Sequence, residues 1–353
     1  MPHCGKPLTA DQSVTVRLGL GQRMQFAQLK RRDFITLVGG TVAVGPLAAR
    51  AQQPSMPVVG LLRSTPAKPF AHIVTAFRQG LNEMGFVEGQ NVVLEQRWAD
   101  NQLDKLPALA ADLVRHQAAV IVGNGAAVDA ARSAAANTPI VFVIGGDPVA
   151  LGLVTSLNRP GGNLTGLTFF GNRLGAKRVE MLHDLVPGIS IFAALVDPNF
   201  PEAVVESRDV EEAARTLGQK IVLVNAANEH EFDAAFASIV KAGAGALVVI
   251  GSAFFTSKSE MLVALSARHA IPAIYDLRDY VAAGGLISYS ASFTDAYRQA
   301  GIYAGQIVKG AKPSELPVLQ PTTFELAINL KTAKSLGLTL PPSFYLRADV
   351  VIE

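Results

Sequence analysis

From Pro57 onward, short apolar runs alternate with longer segments of helical spacing. Val58-Val59-Gly60-Leu61-Leu62 is a continuous apolar run, as a strand buried on both faces requires. Ile73, Phe77, Leu81 and Met84 fall at helical intervals and stop at Gly85, a helix C-terminal signal. Asn91 to Trp98 alternates as a strand. The pattern then predicts a helix over 106–116, a strand over 119–122, a helix over 126–136 and a strand over 140–144. This β-α-β order implies parallel strands with right-handed crossovers and helices on both faces.

The order then starts again. Phe192 to Val196 corresponds to the first strand, 204–217 to a helix ending at Gly218, and 221–224 to a strand. A helix over 231–242, a strand over 246–250, a helix over 258–269 and a strand over 273–275 follow, so Gly123 corresponds to Gly251 and Pro139 to Pro272. In the tail, 285–289 and 324–330 read as strands and 294–309 and 331–336 as helices, pieces that return to complete each half. The predicted fold is α/β: two Rossmann-like lobes with parallel central sheets joined by about three crossovers. Lobe 1 takes residues 57–165 and about 290–318; lobe 2 takes 166–289 and about 319–353. The crossovers fall near Thr165–Thr168, Ser288–Ser292 and Leu316–Thr322, where they form a hinge and hence a closing cleft. Phe169 and Phe170 read as packing beneath a crossover.

The segment before Pro57 is of another kind. Arg31-Arg32 precedes Asp33-Phe34-Ile35-Thr36, a weakly apolar run to Ala49, and Ala49-Arg50-Ala51 before two glutamines. This is the grammar of a twin-arginine export signal with an A-x-A cleavage site. The 16 residues from Phe34 to Ala49 are too few for a membrane span of about 20 and include glycines and a proline. Gln52 rather than Cys follows the cut, so no lipid acceptor is present. Residues 24–51 are read as the signal and 1–23 as an upstream extension, with Met24 rather than Met1 as the start. The expected location is periplasmic.

The signal changes the charge balance. The whole chain is formally +2, but residues 52–353 carry 24 Lys and Arg against 27 Asp and Glu. No basic cluster remains for nucleic acid. Cys4, the sole cysteine, also lies ahead of the cut, so neither disulfide nor thiol chemistry is expected. His72, His116, His183, His230 and His269 show no metal-ligand spacing, and no metal or cofactor is expected. There is no G-x-S-x-G nucleophile elbow and no phosphate loop. Gly123-Asn124-Gly125 opens a helix after a strand, but Val128 stands where a dinucleotide fold needs its third glycine.

Ligands of parallel α/β sheets sit outside the carboxyl ends of the strands. The residues there are Ser64 and Thr65, then Asn124, Gly125 and Ala126, then Asp147. In the second half they are Asp197 and Asn199, Ser252 and Phe254, Tyr275 and Asp276, with Tyr289 near a crossover. These hydroxyls, amides, carboxylates and aromatics suit a small polar ligand with a carboxylate, an amino group and an apolar or aromatic body. Asp147-Pro148 and Asp197-Pro198-Asn199 are also good turn sequences for local reasons, and Phe254 is also a core candidate.

A set of motifs in order carries a family resemblance: RRDFITL, LAARAQQ, AFRQGLNEMGFVEGQNV, PIVFVIGGDPV, LVTSLNRPGGNLTG, LVDPN, AIPAIYDLRDYVAAGGLISY and PTTFELAINLKTAKSLGLTLPPS. From about Lys30 to Glu353 the chain resembles the ABC-transporter substrate-binding proteins related to the tryptophan-binding TrpX group. The resemblance implies a type I periplasmic-binding-protein-like fold and a ligand in the interlobe cleft. It further implies no catalysis, a membrane permease as partner, and aromatic or branched amino acids among family ligands. By motif position Ser64, Asn124, Gly125, Asp147, Asp197, Asn199, Ser252, Phe254 and Tyr275 match the family's cleft-lining loops. Monomer is the default for a receptor that must hinge. Two other readings stay open: an exported α/β oxidoreductase with a nicotinamide-type cofactor, and a ligand-sensing receptor for a membrane kinase.

Overall fold

The computed structural model describes residues 56–169 and 174–353. The export signal, the choice between Met1 and Met24, the cut near Ala51 and Phe170 all fall outside these residues.

Two sheets organise the chain. The first is built from β1 (Val58–Arg63), β2 (Val93–Trp98), β3 (Ala118–Gly123), β4 (Ile140–Ile144) and β5 (Leu164–Thr168). Its order is β2-β1-β3-β4-β5 and every pair is parallel. Helices α1 (Ala71–Glu83), α2 (Leu106–Arg115) and α3 (Ala126–Ala134) connect its strands. Because both faces are covered, the central strands are apolar throughout rather than alternating; Ile140–Ile144 is buried at all positions.

The chain next forms α4 (Gly175–Leu185) and the second sheet's β6 (Ile191–Val196), α5 (Ala203–Thr216), β7 (Lys220–Asn225), α6 (Phe232–Lys241) and β8 (Ala246–Val249). Then come α7 (Ala253–Ser257), α8 (Ser259–Arg268), β9 (Ala273–Tyr275), α9 (Arg278–Ala282) and β10 (Ile287–Ala291). Helix α10 (Phe293–Val308) is followed by β11 (Phe324–Asn329), α11 (Leu330–Ser335), α12 (Pro342–Arg347) and β12 (Val350–Ile352). The second sheet runs β12-β11-β10-β9-β8-β6-β7. It is parallel except for β10 and β11, which pair antiparallel, Ser288 opposite Ala327.

Three passes join the sheets, as the sequence predicts. The first lies between Thr168 and Gly175. The second is a single residue, Ser292, between β10 in one sheet and α10, which packs on the other. Its hydroxyl accepts from the Asp295 N–H at 3.2 Å and caps α10. The third follows Leu319, which bridges Leu167 beside the first sheet, and leads to β11. The first sheet extends to Thr168, and β10 keeps residues to Ala291 in the second.

Each sheet carries a core on either face. In the first, α1 and α10 cover one face with Phe77, Leu81, Tyr297 and Ala304, while α2 and α3 cover the other with Leu113, Val128 and Ala131. Among the described residues no helix is long and apolar enough to cross a membrane. Nor does any group of three or more His, Cys, Asp or Glu there suit a metal.

Candidate functional site: a cavity between the two sheets

Parallel strands place all their carboxyl ends on one side, so the loops that follow them gather there. In both sheets those loops line one cavity of about 530 Å³. The first sheet contributes Arg63 at the end of β1 and Ser64 after it, Asp100 and Asn101 after β2, Asn124 to Ala126 after β3, Gly145 after β4 and Phe169 after β5. The second contributes Asp197 and Asn199 to Glu202 after β6, Ala227 to His230 after β7, Gly251 to Phe254 after β8 and Asp276 after β9.

On the first side, Asn124 ties two loops together. Its Oδ1 accepts from the Ser64 N–H at 3.2 Å, and its Nδ2 donates to Ser64 Oγ at 3.1 Å. Both residues are buried. Gly125 follows with φ at +41°, a left-handed conformation that favours glycine, and this turn aims the N-terminus of α3 at the cavity. Phe200, from the opposite sheet, comes within 4.0 Å of where a Gly125 Cβ would lie.

Arg63 lies deeper. It is 1% exposed, and its guanidinium carbon sits 4.7 Å from the Phe70 ring centre, 5.1 Å from Tyr297 and 6.0 Å from Phe293. Its Nη2 donates to Thr65 Oγ1 at 3.4 Å, while Nε and Nη1 have no partner. Burial pulls its pKa down to about 9, which still leaves a cation at neutral pH.

The second side is acidic. Asp197 Oδ2 accepts from Ser252 Oγ at 2.6 Å and Oδ1 from the Asn199 N–H at 2.9 Å. Burial nonetheless raises the Asp197 carboxyl above the usual carboxylate range, and does the same to Glu202. Arg178 and Glu206 form a fully buried ion pair, and Glu206 Oε2 also accepts from the Gly251 N–H at 3.1 Å. Asp276 lies beside this pair with its Oδ1 unpartnered. Burial drives its pKa up to about 7; the Arg178 charge opposes that rise and the Glu206 charge adds to it. A Cβ on Gly251 would lie 2.8 Å from Asp276 Oδ2, so a side chain there would have to displace the Asp276 carboxyl.

Contacts also cross between the sheets' loops. Asn101 Nδ2 donates to Ser257 Oγ at 3.0 Å, His72 Nε2 lies 3.1 Å from Asp279 Oδ1, and the Glu202 side chain lies against Gly146.

Of the thirteen residues singled out from sequence, the structure brings nine to the cavity wall: Ser64, Asn124, Gly125, Ala126, Asp197, Asn199, Ser252, Phe254 and Asp276. Phe254 has both candidate roles, since its ring also stacks on core Phe232 at 5.6 Å. Four sit elsewhere. Thr65 is buried behind the wall against Arg63. Asp147 caps its own turn, accepting from the Val149 and Ala150 N–H groups at 3.0 and 3.3 Å. Tyr275 points into the core, stacked on Tyr280 at 4.5 Å and donating to Ser266 Oγ at 3.2 Å. Tyr289 stacks on Phe324 at 6.0 Å, and its carbonyl accepts from Arg178 at 3.3 Å. Phe169, read as packing beneath a crossover, is on the wall. Sequence reasoning missed Arg63, whose signal was a charge closing an apolar strand. It also missed Glu202, which occupies the N-cap position of α5, and Glu206 and Phe293, which lie on helices.

A family model described as "ABC transporter substrate binding protein" matches residues 64–352. The tyrosine-binding protein of Clostridioides difficile (strain R20291) is 22% identical over 263 residues, 74% of this chain and 75% of that protein. A conserved domain protein from Vibrio cholerae superposes with a TM-score of 0.78 at 23% identity, over 84% of this chain and 99% of the other. An ABC domain from Streptococcus pneumoniae, solved in complex with L-Trp, gives a TM-score of 0.77 at 24% identity over 84% of this chain and all of that one (100%). At these identities the likeness to solved structures is one of fold: two α/β sheets, mostly parallel, in the type I periplasmic-binding-protein-like arrangement.

Proposed function

The chain belongs to the ABC transporter substrate-binding protein family, and from that premise we propose that it is the periplasmic receptor of an importer. It captures an amino acid or a related aromatic or carboxylate compound in the cavity between its sheets and delivers it to a membrane permease. The observation that carries this reading is the two-sided cavity, whose walls come from strand ends of both sheets. A volume of about 530 Å³ is in the range of small-molecule sites. Asp197 and Asp276 offer carboxylates to an ammonium group, and Phe169, Phe200 and Phe254 offer rings to an apolar body. The relatives bearing the names of tyrosine and L-Trp support the same ligand class.

The same geometry supports binding rather than catalysis. A ligand that touches both walls favours the closed form, and closure is the signal a permease reads. The twin-arginine segment supports export, and the hinge supports a monomer as the working unit. The test is a thermal-shift screen of the full chain, stripped of bound ligand by unfolding and refolding. The library holds amino acids, aromatic acids, short peptides and nicotinamide cofactors. A ligand at about a hundred times its Kd stabilises by about 2.7 kcal/mol, which moves Tm by several degrees. A hit confined to amino or aromatic acids is the expected result. A hit with a nicotinamide cofactor and none with solutes overturns the reading in favour of an exported oxidoreductase. Export is tested separately: replacing Arg31 and Arg32 by Lys should leave the protein in the cytoplasm.

A further inference from the structure

Arg63 presents a problem that the protein does not solve internally. Its side chain lies on the cavity wall, buried, with two of its three nitrogens unpartnered. Burial is the cause of its lowered pKa, and among the described residues no carboxylate forms an ion pair with it. A buried cation without a counter-charge is costly, and cation–π contacts with Phe70 and Tyr297 offset that cost only in part. Arg178, the other fully buried arginine, is matched by Glu206. The rings around Arg63 pack on its faces and hold the guanidinium in place, a preorganised donor set for a planar acid.

We propose that Arg63, set among Phe70, Phe293 and Tyr297, is the ligand's anion seat, and that the ligand is a monocarboxylate whose acid group replaces the missing counter-charge. The inference rests on the receptor reading and adds the direction in which the ligand lies: acid toward β1 and α10, any ammonium toward Asp197 and Asp276. Arg63 faces several carboxylates on the other wall, where Lys258 is already paired with Glu229, and that balance suits a monoanion and disfavours a dianionic phosphate. It also explains why a charged residue closes the otherwise apolar strand β1.

The test compares acids with neutral analogues of the same shape. L-Tryptophan and L-tyrosine are titrated against L-tryptophanamide, L-tyrosinamide, tryptamine and 3-indolepropionate, by calorimetry on the full chain. Wild type should bind the acids ten- to a hundredfold more tightly than the amides, about what charge-assisted hydrogen bonds contribute. Arg63→Met should lose that preference while keeping its affinity for the amides, and Arg63→Lys should restore part of it. Equal binding of acid and amide by wild type overturns the proposal, and so does an Arg63→Met variant that weakens both alike. The ligand-free melts give a separate readout. With the unmatched charge removed, Arg63→Met should melt at or above the wild-type temperature, whereas a residue that merely staples the aromatic rings would lower it. If no amino or aromatic acid binds wild type, the receptor reading fails. The ligand-free melt alone then judges Arg63, and a lowered Tm overturns the seat.

Discussion

At Asp276 the cavity wall stores a titratable group away from its ordinary range. Its folded pKa of about 7 compares with about 3.9 for a solvated aspartate. Between those values the folded state holds a proton that the unfolded chain has lost. The stabilisation this provides is complete below about pH 4 and disappears as pH rises through about 7. Arg178, Glu206 and Asp279 face the same carboxyl and set how far the shift goes. Asp276→Asn, which keeps the shape and removes the titration, should therefore flatten the ligand-free stability curve between pH 5 and 8. It should be more stable than wild type by roughly 1–3 kcal/mol at pH 8. Urea unfolding at several pH values measures this; parallel curves for the two proteins would show that Asp276 is ionised throughout. The carboxyl that weakens the empty receptor also strengthens ammonium binding once ionised, so affinity for L-tryptophan should rise from pH 5.5 to 8. Residue by residue, the wall was legible wherever a polar side chain directly follows an apolar strand, as at Ser64, Asn124, Asp197 and Ser252. It was not legible at Tyr275, because side chains alternate along a strand and the residue before Asp276 faces the core.

At the scale of elements, the site depends on how closely α1 and α10 approach. A Cβ on Gly80 would fall 1.9 Å from the Arg298 carbonyl oxygen, and one on Gly301 would fall 2.2 Å from the Phe77 carbonyl oxygen. Glycine is there because the two backbones touch. Helix propensity alone makes Gly80→Ala favourable by about 1 kcal/mol. The overlap with backbone should outweigh that, giving a net loss of about 2 kcal/mol and a Tm lower by roughly 5 °C. Gly162→Ala, with open space around it, is the neutral control. Phe70 precedes α1, while Phe293 and Tyr297 lie on α10, so Gly80→Ala should also disturb the rings around Arg63 and weaken acid binding. The helices themselves were legible because their apolar residues recur at helical intervals. Helix α4 was missed because Arg178 occupies one of its core positions and interrupts the apolar stripe, and strand β5 because Thr165, Gly166 and Thr168 carry little strand signal. The short α7, α9 and α12 are too brief to show a period at all.

For the molecule as a whole, the two repeats were readable because each β-α-β series restarts with a similar apolar strand. The contacts between the series were not, since they join residues far apart in sequence with no pattern of their own. The Asn101–Ser257 hydrogen bond is such a contact, 156 residues apart in the chain and spanning the cavity's two walls. Ser257 lies off the cavity wall, and its hydroxyl also donates to the Phe254 carbonyl within its own helix at 2.6 Å. If closure around the ligand is what brings these loops together, the bond contributes to the closed form alone. Ser257→Ala should then leave the ligand-free Tm unchanged while lowering ligand affinity by about fivefold, the equivalent of the roughly 1 kcal/mol a neutral hydrogen bond contributes. The loss should appear mainly as faster dissociation, because reopening is the step the bond resists. Scattering from the ligand-saturated variant should show a larger mean radius of gyration than saturated wild type. A variant whose ligand-free and ligand-bound melts fall by the same amount would instead make the contact a permanent part of the fold, and the two sheets a rigid pair rather than a hinge.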